Sequence, residues 1–87
     1  MSKIIVRLIA VGVEERRAWE IPFGYLGEDQ RNGLHRSYTM EKAHRYDSID
    51  AAEKSFIRWL VNLYFGKTPG NWLLVKAMRP EYLEVDE

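Results

Sequence analysis

The residues best suited to chemistry lie in one basic stretch, residues 31–45. It holds both histidines, one acid and four cationic side chains, which are Arg31, Arg36, Lys42 and Arg45. Cations neutralise phosphates and aromatic rings stack on bases, so this stretch could contact nucleic acid with Tyr38 and Tyr46 as stacking groups. The same charges suit an acidic patch on a protein. A third interpretation is a solvated loop that is balanced by acids of the C-terminal segment, namely Glu81, Glu84, Asp86 and Glu87.

The two histidines, His35 and His44, would be the first candidates for acid–base or metal chemistry. A catalytic zinc generally needs three protein ligands, so Glu41 or Asp47 would have to complete such a site. The adjacent carboxylate pairs of the chain lack the apolar setting that prepares a carboxyl group for proton transfer. We therefore expect surface histidines, with no catalytic residue, no cofactor and no metal.

A helix is predicted to position the second group of candidate residues. Residues 46–65 form an amphipathic pattern, and Ser48 can cap the helix by accepting a hydrogen bond from a free amide of its first turn. The expected core stripe has spacings of three and four and consists of Ile49, Ala52, Phe56, Trp59, Leu60 and Leu63. Gly66 is the expected stop.

The helix has a second apolar face, formed by Ile57, Val61, Tyr64 and Phe65. A helix face in contact with water should be more polar, so we expect something to cover it. Either the C-terminal segment with Tyr82, Leu83 and Val85 folds over it, or two copies of the chain bury it in a homodimer. The third interpretation is an exposed patch that binds another protein, with Arg58 and Trp59 as further residues of the kind that interfaces favour.

Strand patterns precede the helix. Residues 3–13 are apolar on both alternating faces, which predicts a central strand covered by a helix. Residues 18–23 alternate and predict a hairpin partner, where Pro22 marks either the strand end or a sheet edge. Three glycines and several turn-forming residues predict a surface loop over residues 24–33.

Shorter extended pieces complete the chain. Residues 37–40 predict a short strand, and residues 44–46 predict a further extended piece before the helix. Residues 71–78 return to a strand pattern, which Arg79 and Pro80 are expected to break.

The predicted fold is α+β. We expect one domain over residues 1–87, in which a small antiparallel sheet of three to four strands carries the amphipathic helix on one face. The order is strand, strand, irregular segment, helix, strand. A chain of this length has room for one hydrophobic core rather than two.

Charge and composition exclude several classes of protein. Thirteen basic and thirteen acidic side chains cancel, which disfavours a general nucleic-acid coat or a membrane-surface binder, because both need a net positive field. The absence of cysteine excludes disulfides and thiolate metal sites. Neither a signal peptide nor a membrane span is predicted, so we expect a cytoplasmic protein with no membrane partner.

Residues 39–53 carry a further pattern, a Lys-Ala pair, an aromatic residue and an Asp-Ser pair that lead into the helix. This run resembles the helix start of many small phage and prophage accessory proteins, among them anti-CRISPR proteins. The resemblance implies a small sheet-plus-helix fold and a protein, acting in the host cytoplasm, that binds a host defence complex and blocks its nucleic-acid or nuclease step.

We therefore predict a non-enzymatic protein-binding module that sterically inhibits a larger complex of the CRISPR–Cas type. The predicted anchors are the second helix face, while Arg31, Arg36 and Arg45, with Tyr38, would steer and contact the partner. Two alternatives remain open. One is a small nucleic-acid-binding protein that uses the basic stretch, and the other is a structural homodimeric subunit that pairs through the helix or a strand edge.

Overall fold

The computed structural model describes residues 2–14, 16–65 and 77–86. These residues form one antiparallel sheet of four strands, in the order β3-β2-β1-β4, and one long helix. The elements are β1 (Ser2–Glu14), β2 (Arg17–Asp29), β3 (Gly33–Ser37), a 3₁₀ turn (Met40–Lys42), α1 (Ile49–Phe65) and β4 (Ala77–Asp86). The predicted α+β arrangement is confirmed, with the helix before the last strand.

The central position predicted for β1 is also confirmed, since β2 and β4 flank it. Alternate β1 side chains point to opposite faces of the sheet. Val6, Leu8 and Ala10 belong to the core cluster that includes the helix, whereas Ile5 and Ile9 are buried on the other face. This two-sided burial explains why the segment is apolar at nearly every position.

Helix α1 begins where the capping pattern predicts. The Ser48 hydroxyl accepts a hydrogen bond from the Ala51 amide at 3.1 Å. Ala52, Phe56 and Trp59 are buried against the sheet, as predicted. Ile49 was wrongly placed in this stripe, because it is 54% exposed. Helical side chains lean toward the N-terminus, so the side chain of this first residue lies over the helix start rather than over the sheet.

The prediction of a loop over residues 24–33 is wrong. Strand β2 continues through this segment to Asp29, and β3 begins at Gly33 after a short turn. Gly24 has a φ of +114° beside the bulge at Leu8 and Ile9. A side chain on Gly27 would lie 2.6 Å from His35 Nε2. These glycines therefore permit a bulge and a close side-chain approach inside a strand.

Two prolines lie within strands. The sequence predicts a strand end or a sheet edge at Pro22 and a strand break at Pro80. β2 continues past Pro22, but its pairing with β3 starts only at Tyr25, so Pro22 lies on a sheet edge as one of the two interpretations held. The predicted break at Arg79 and Pro80 is wrong, because both residues pair with β1 inside β4. β4 is the last strand of the described sheet, and an edge strand tolerates proline.

The segment between β3 and α1 joins two diverging strands. The predicted strand over residues 37–40 is displaced, since β3 ends at Ser37 and a 3₁₀ turn follows. The predicted extended piece before the helix is confirmed by hydrogen bonds in both directions between Tyr46 and Ile4, each 2.8 Å long. The His44 amide donates to Leu26 O at 3.0 Å, so this piece bridges β1 and β2.

The sheet face away from α1 carries ion pairs. Arg79 on β4 forms two hydrogen bonds with Glu20 on β2, at 3.1 and 3.2 Å, and thus reaches across β1. Arg7 and Glu81 pair at 3.3 Å. Long charged side chains can cover apolar surface with their aliphatic stems, which accounts for a buried Ile9 beneath a charged face.

Several predictions fall on residues outside those described. They are the helix stop at Gly66 and most of the strand predicted over residues 71–78. Within the described ranges, no helix has the length and apolarity needed to cross a membrane.

Adjacent helix residues provide a test of this packing. Phe56 is 4% exposed and Ile57 is 49% exposed. We expect Phe56→Ala to lower the free energy of unfolding by about 3–5 kcal/mol, because it leaves a cavity in the core. Ile57→Ala should change it by less than about 0.5 kcal/mol. Urea unfolding followed by circular dichroism measures both, and equal losses would show that the helix packs through a different face.

Candidate functional site

A cleft of about 840 Å³ opens beside β3 and the segment that follows it. We call it the β3 cleft, and its walls include both histidines, Arg36, Tyr38 and Lys42. Three of the predicted partner-binding residues meet there, namely Arg36, Tyr38 and Arg45. Arg31, the remaining partner-binding residue predicted in the basic stretch, does not line the cleft. Its side chain is exposed in the turn between β2 and β3.

The Arg36 guanidinium contacts two aromatic rings. Its central carbon lies 4.2 Å from the centroid of Phe23 and 4.5 Å from that of Tyr38, and the guanidinium also donates to the Tyr38 hydroxyl. Cation–π contacts of this kind fix the position of both partners. Tyr38 is nevertheless 77% exposed. The arrangement thus holds a large aromatic ring in place while leaving most of it open to solvent.

Arg45 closes the segment around the 3₁₀ turn. It donates hydrogen bonds to the carbonyl oxygens of Met40, Glu41 and Ala43, at 2.9, 3.2 and 2.5 Å. Its guanidinium adds positive charge to the β3 cleft, but its hydrogen bonds support the turn.

Each histidine faces a carboxylate across the cleft wall. His35 Nε2 lies 4.0 Å from Asp29 Oδ2, and His44 Nε2 lies 3.9 Å from Glu28 Oε2. Glu28 also accepts a hydrogen bond from Arg58 at 2.6 Å. Among the described residues, no group of three or more histidines, cysteines and acids is placed to hold a metal ion. Neither Glu41 nor Asp47 therefore belongs to such a group with the histidines.

Asp29 organises the turn between β2 and β3. Its carboxylate accepts hydrogen bonds from the backbone amides of Asn32 and Arg31, at 2.6 and 2.9 Å. These bonds, that of Asn32 first, hold the pKa of Asp29 below its ordinary value of 3.8. The carboxylate therefore stays charged on the wall of the β3 cleft, and its lone pairs are already engaged.

The sheet bears on two predictions for the basic stretch. Tyr46 cannot serve as a stacking group for a ligand, because it is 5% exposed and belongs to the core. Glu81 pairs with Arg7, and β4, which also carries Glu84 and Asp86, lies at the opposite edge of the sheet from β3. Glu87 lies outside the described residues.

A buried hydroxyl lies beneath the cleft wall. The Tyr46 hydroxyl has no hydrogen-bond partner among the described residues, although Ser55 is close enough to affect its titration. Burial raises the pKa of Tyr46 above its ordinary value; the nearby Ser55 hydroxyl opposes this effect, the charge of Glu28 adds to it, and Arg58 opposes it. The phenol is therefore held neutral beside the pair of Glu28 and Arg58.

The second apolar helix face borders another opening. Ile57 and Val61, each 49% exposed, line a groove of about 480 Å³ between α1 and the β2–β3 hairpin, with Leu34 opposite. We call this opening the helix groove. The side chains of Tyr64 and Phe65 lie outside those described.

The C-terminal segment does not cover these two helix residues. Leu83 pairs with Ile5 on the sheet face away from α1. Tyr82 packs against the core on the helix side, where burial and the charge of Glu53 raise its pKa. Ile57 and Val61 remain half exposed, so the interpretation in which this segment buries them is wrong.

The sequence pattern missed three residues that shape these surfaces, which are Phe23, Glu28 and Leu34. All three depend on the β2–β3 hairpin, which the glycines obscured. A signal for it was present, because Asn32-Gly33 is a strong hairpin turn sequence, and Gly33 adopts a φ of +64°.

Comparison with known proteins returns no relative. No protein-family model, no curated protein and no solved structure matches the chain. The resemblance of residues 39–53 to phage accessory proteins therefore stays a prediction.

The Asp29 turn predicts a pH-dependent stability. Because its pKa is lowered in the folded state, the charged carboxylate stabilises the fold above its ordinary pKa of 3.8. This stabilisation is lost as the pH falls through the lower folded pKa. We expect Asp29→Asn, which keeps an acceptor oxygen, and Asp29→Ala, which does not, to be less stable than the original chain at pH 7.

Urea unfolding at a series of pH values measures this effect. The difference between the original chain and Asp29→Asn should shrink toward zero in acid, whereas Asp29→Ala should retain part of its deficit. A difference for Asp29→Asn that does not vary with pH would contradict the role given to the charge.

Proposed function

We propose that the chain is a non-enzymatic protein-binding module that docks on its partner through the helix groove. The observation that carries this proposal is the exposure of Ile57 and Val61, two large apolar side chains one helical turn apart. Neither contributes to the core cluster. Apolar side chains at the centre of a protein interface supply most of its binding energy when a partner removes them from water.

The surroundings of these two residues support the same function. Leu34 lines the groove across from the helix, and Arg58, Asn62 and Glu28 provide polar groups at its sides. An apolar centre with a polar rim is the usual anatomy of a protein interface. By their spacing, Tyr64 and Phe65 continue the helix face that carries Ile57 and Val61.

The mode of action we propose is steric. A protein of 10.3 kDa that docks on a larger complex covers part of the surface of that complex, and it blocks a site when the site lies under it. Together with the resemblance of residues 39–53, this favours a phage-encoded inhibitor of a host defence complex. The exposed Arg31 and the cations of the β3 cleft would steer approach to an acidic partner surface.

A homodimer is the main competing structural role. Pro22 and Pro80 argue against pairing of strands where they lie, on opposite sheet edges beside Ile9 and Leu8. Proline has no amide to donate to an added strand. Self-association would then use the helix groove or the proline-free edge of β3. A mass measurement shows whether the chain self-associates, and the groove variant below shows whether the groove is used.

A double substitution tests the groove. We expect Ile57→Glu with Val61→Glu to fold, since both positions are half exposed, and to lose its partner, because two carboxylates cannot be buried in an apolar interface. Lys54→Glu on the same helix is the matched control. It makes the same total change in charge at a residue that does not line the groove.

Light scattering at several concentrations first measures the mass of the original chain, the double variant and Lys54→Glu. Affinity capture from the source cells with the same three proteins follows. A monomeric chain whose captured partner is lost with the double variant and kept with Lys54→Glu supports the proposal. A dimer that the double variant dissociates would assign the groove to self-association. Capture that the double variant leaves intact would also contradict the proposal.

A further inference from the structure

We propose that the β3 cleft is a binding site for a nucleotide, either free or as a unit of a single-stranded nucleic acid. In this arrangement the base stacks on Tyr38, and the phosphate lies against the cations of the cleft. The proposal concerns a different surface from the helix groove and does not depend on it.

The ring of Tyr38 is exposed and yet held in place. Tyr38 presents most of its surface to solvent while Arg36 holds it in contact with a second ring, that of Phe23. Packing does not require such an arrangement, since Tyr38 is not part of the core cluster. A ring held in one orientation before the ligand arrives is suited to stack on a base.

The β3 cleft is lined by more cations than acids. Lys42 lines it and has no acidic partner among the described residues, and Arg36 contributes a guanidinium whose described contacts are aromatic. Asp29 and Glu28 keep their negative charges, but three cations, Arg36, Lys42 and Arg45, line the same cleft, and Glu28 is also paired with Arg58. The balance of charge in the cleft is therefore positive, which favours a phosphate.

The β3 cleft has the size of a small-molecule site and continues into a second pocket. A volume of about 840 Å³ lies within the range of roughly 300–1,000 Å³ that is usual for small-molecule sites. A second pocket of about 380 Å³ shares Arg36 and Tyr38 with the cleft and adds Tyr25 and Arg7. Aromatic and cationic groups thus continue on the far side of Tyr38, where the next unit of a strand would lie.

The zero net charge of the chain limits this site rather than excluding it. A few phosphates at a local patch do not require a basic protein. The dependence of affinity on salt should therefore be shallow, with a slope of about −1.4 for two phosphates on a single strand. A general nucleic-acid coat would show a much steeper slope.

Fluorescence anisotropy and calorimetry test the proposal with two probes, adenosine monophosphate and a labelled single-stranded oligonucleotide of about five units, at low salt. We expect Tyr38→Ala to weaken binding about tenfold or more and Tyr38→Phe to retain it, because stacking requires the ring and not the hydroxyl. Lys42→Gln should weaken binding. It should also make the dependence of affinity on salt shallower, by about the amount that one phosphate contact contributes. Lys54→Gln on α1 is the matched control and should have no effect.

The two probes separate the sources of the ligand. Similar affinity for both supports a free nucleotide, and tighter binding of the oligonucleotide supports a strand that also uses the second pocket. Failure of the original chain to bind either probe would overturn the proposal, as would binding that Tyr38→Ala leaves unchanged. Substitution of Ile57 and Val61 should leave nucleotide binding intact, so this result is independent of the helix groove.

Discussion

The two surfaces of this protein depend on residues 44–46, which bridge β1 and β2 by backbone hydrogen bonds where these two strands stop pairing. Their pairing ends at Arg7 and Tyr25. Beyond that point the amide of His44 bonds to β2 and Tyr46 bonds to β1, so buried backbone groups keep their partners. These bonds fix one end of the β3 cleft. They also fix the start of α1 three residues later, and thus the position of the helix groove.

The sequence predicts the parts of the fold that depend on local chemistry. The cap at Ser48, the core stripe of α1 and the central strand follow from hydrogen-bonding groups and periodicity. The β2–β3 hairpin was missed because its glycines serve side-chain contacts formed only in the folded chain, such as His35 over Gly27. The cleft could not be predicted for the same reason, since Phe23 and Tyr38 meet only through Arg36.

The distribution of charge explains why the composition was a weak guide to function. On the face away from α1, acids and bases of different strands neutralise one another, as Glu20 on β2 and Arg79 on β4 do across β1. The β3 cleft is lined by three cations, Arg36, Lys42 and Arg45, and by two carboxylates, of which Glu28 also pairs with Arg58. A zero net charge is therefore compatible with a locally positive cleft, because acids elsewhere in the chain offset it.

Glu28 and Asp29 both border the two surfaces, and Glu28 lies between Arg58 on the side of the helix groove and His44 on the side of the β3 cleft. A partner that draws Arg58 away would leave this carboxylate to His44 and so lower the positive potential of the cleft. Thermodynamic linkage is reciprocal, so a ligand that engages His44 must alter the affinity of the groove by the same factor. Although the two proposed sites use different binding residues, Glu28 gives a physical route by which occupancy of one would weaken binding at the other.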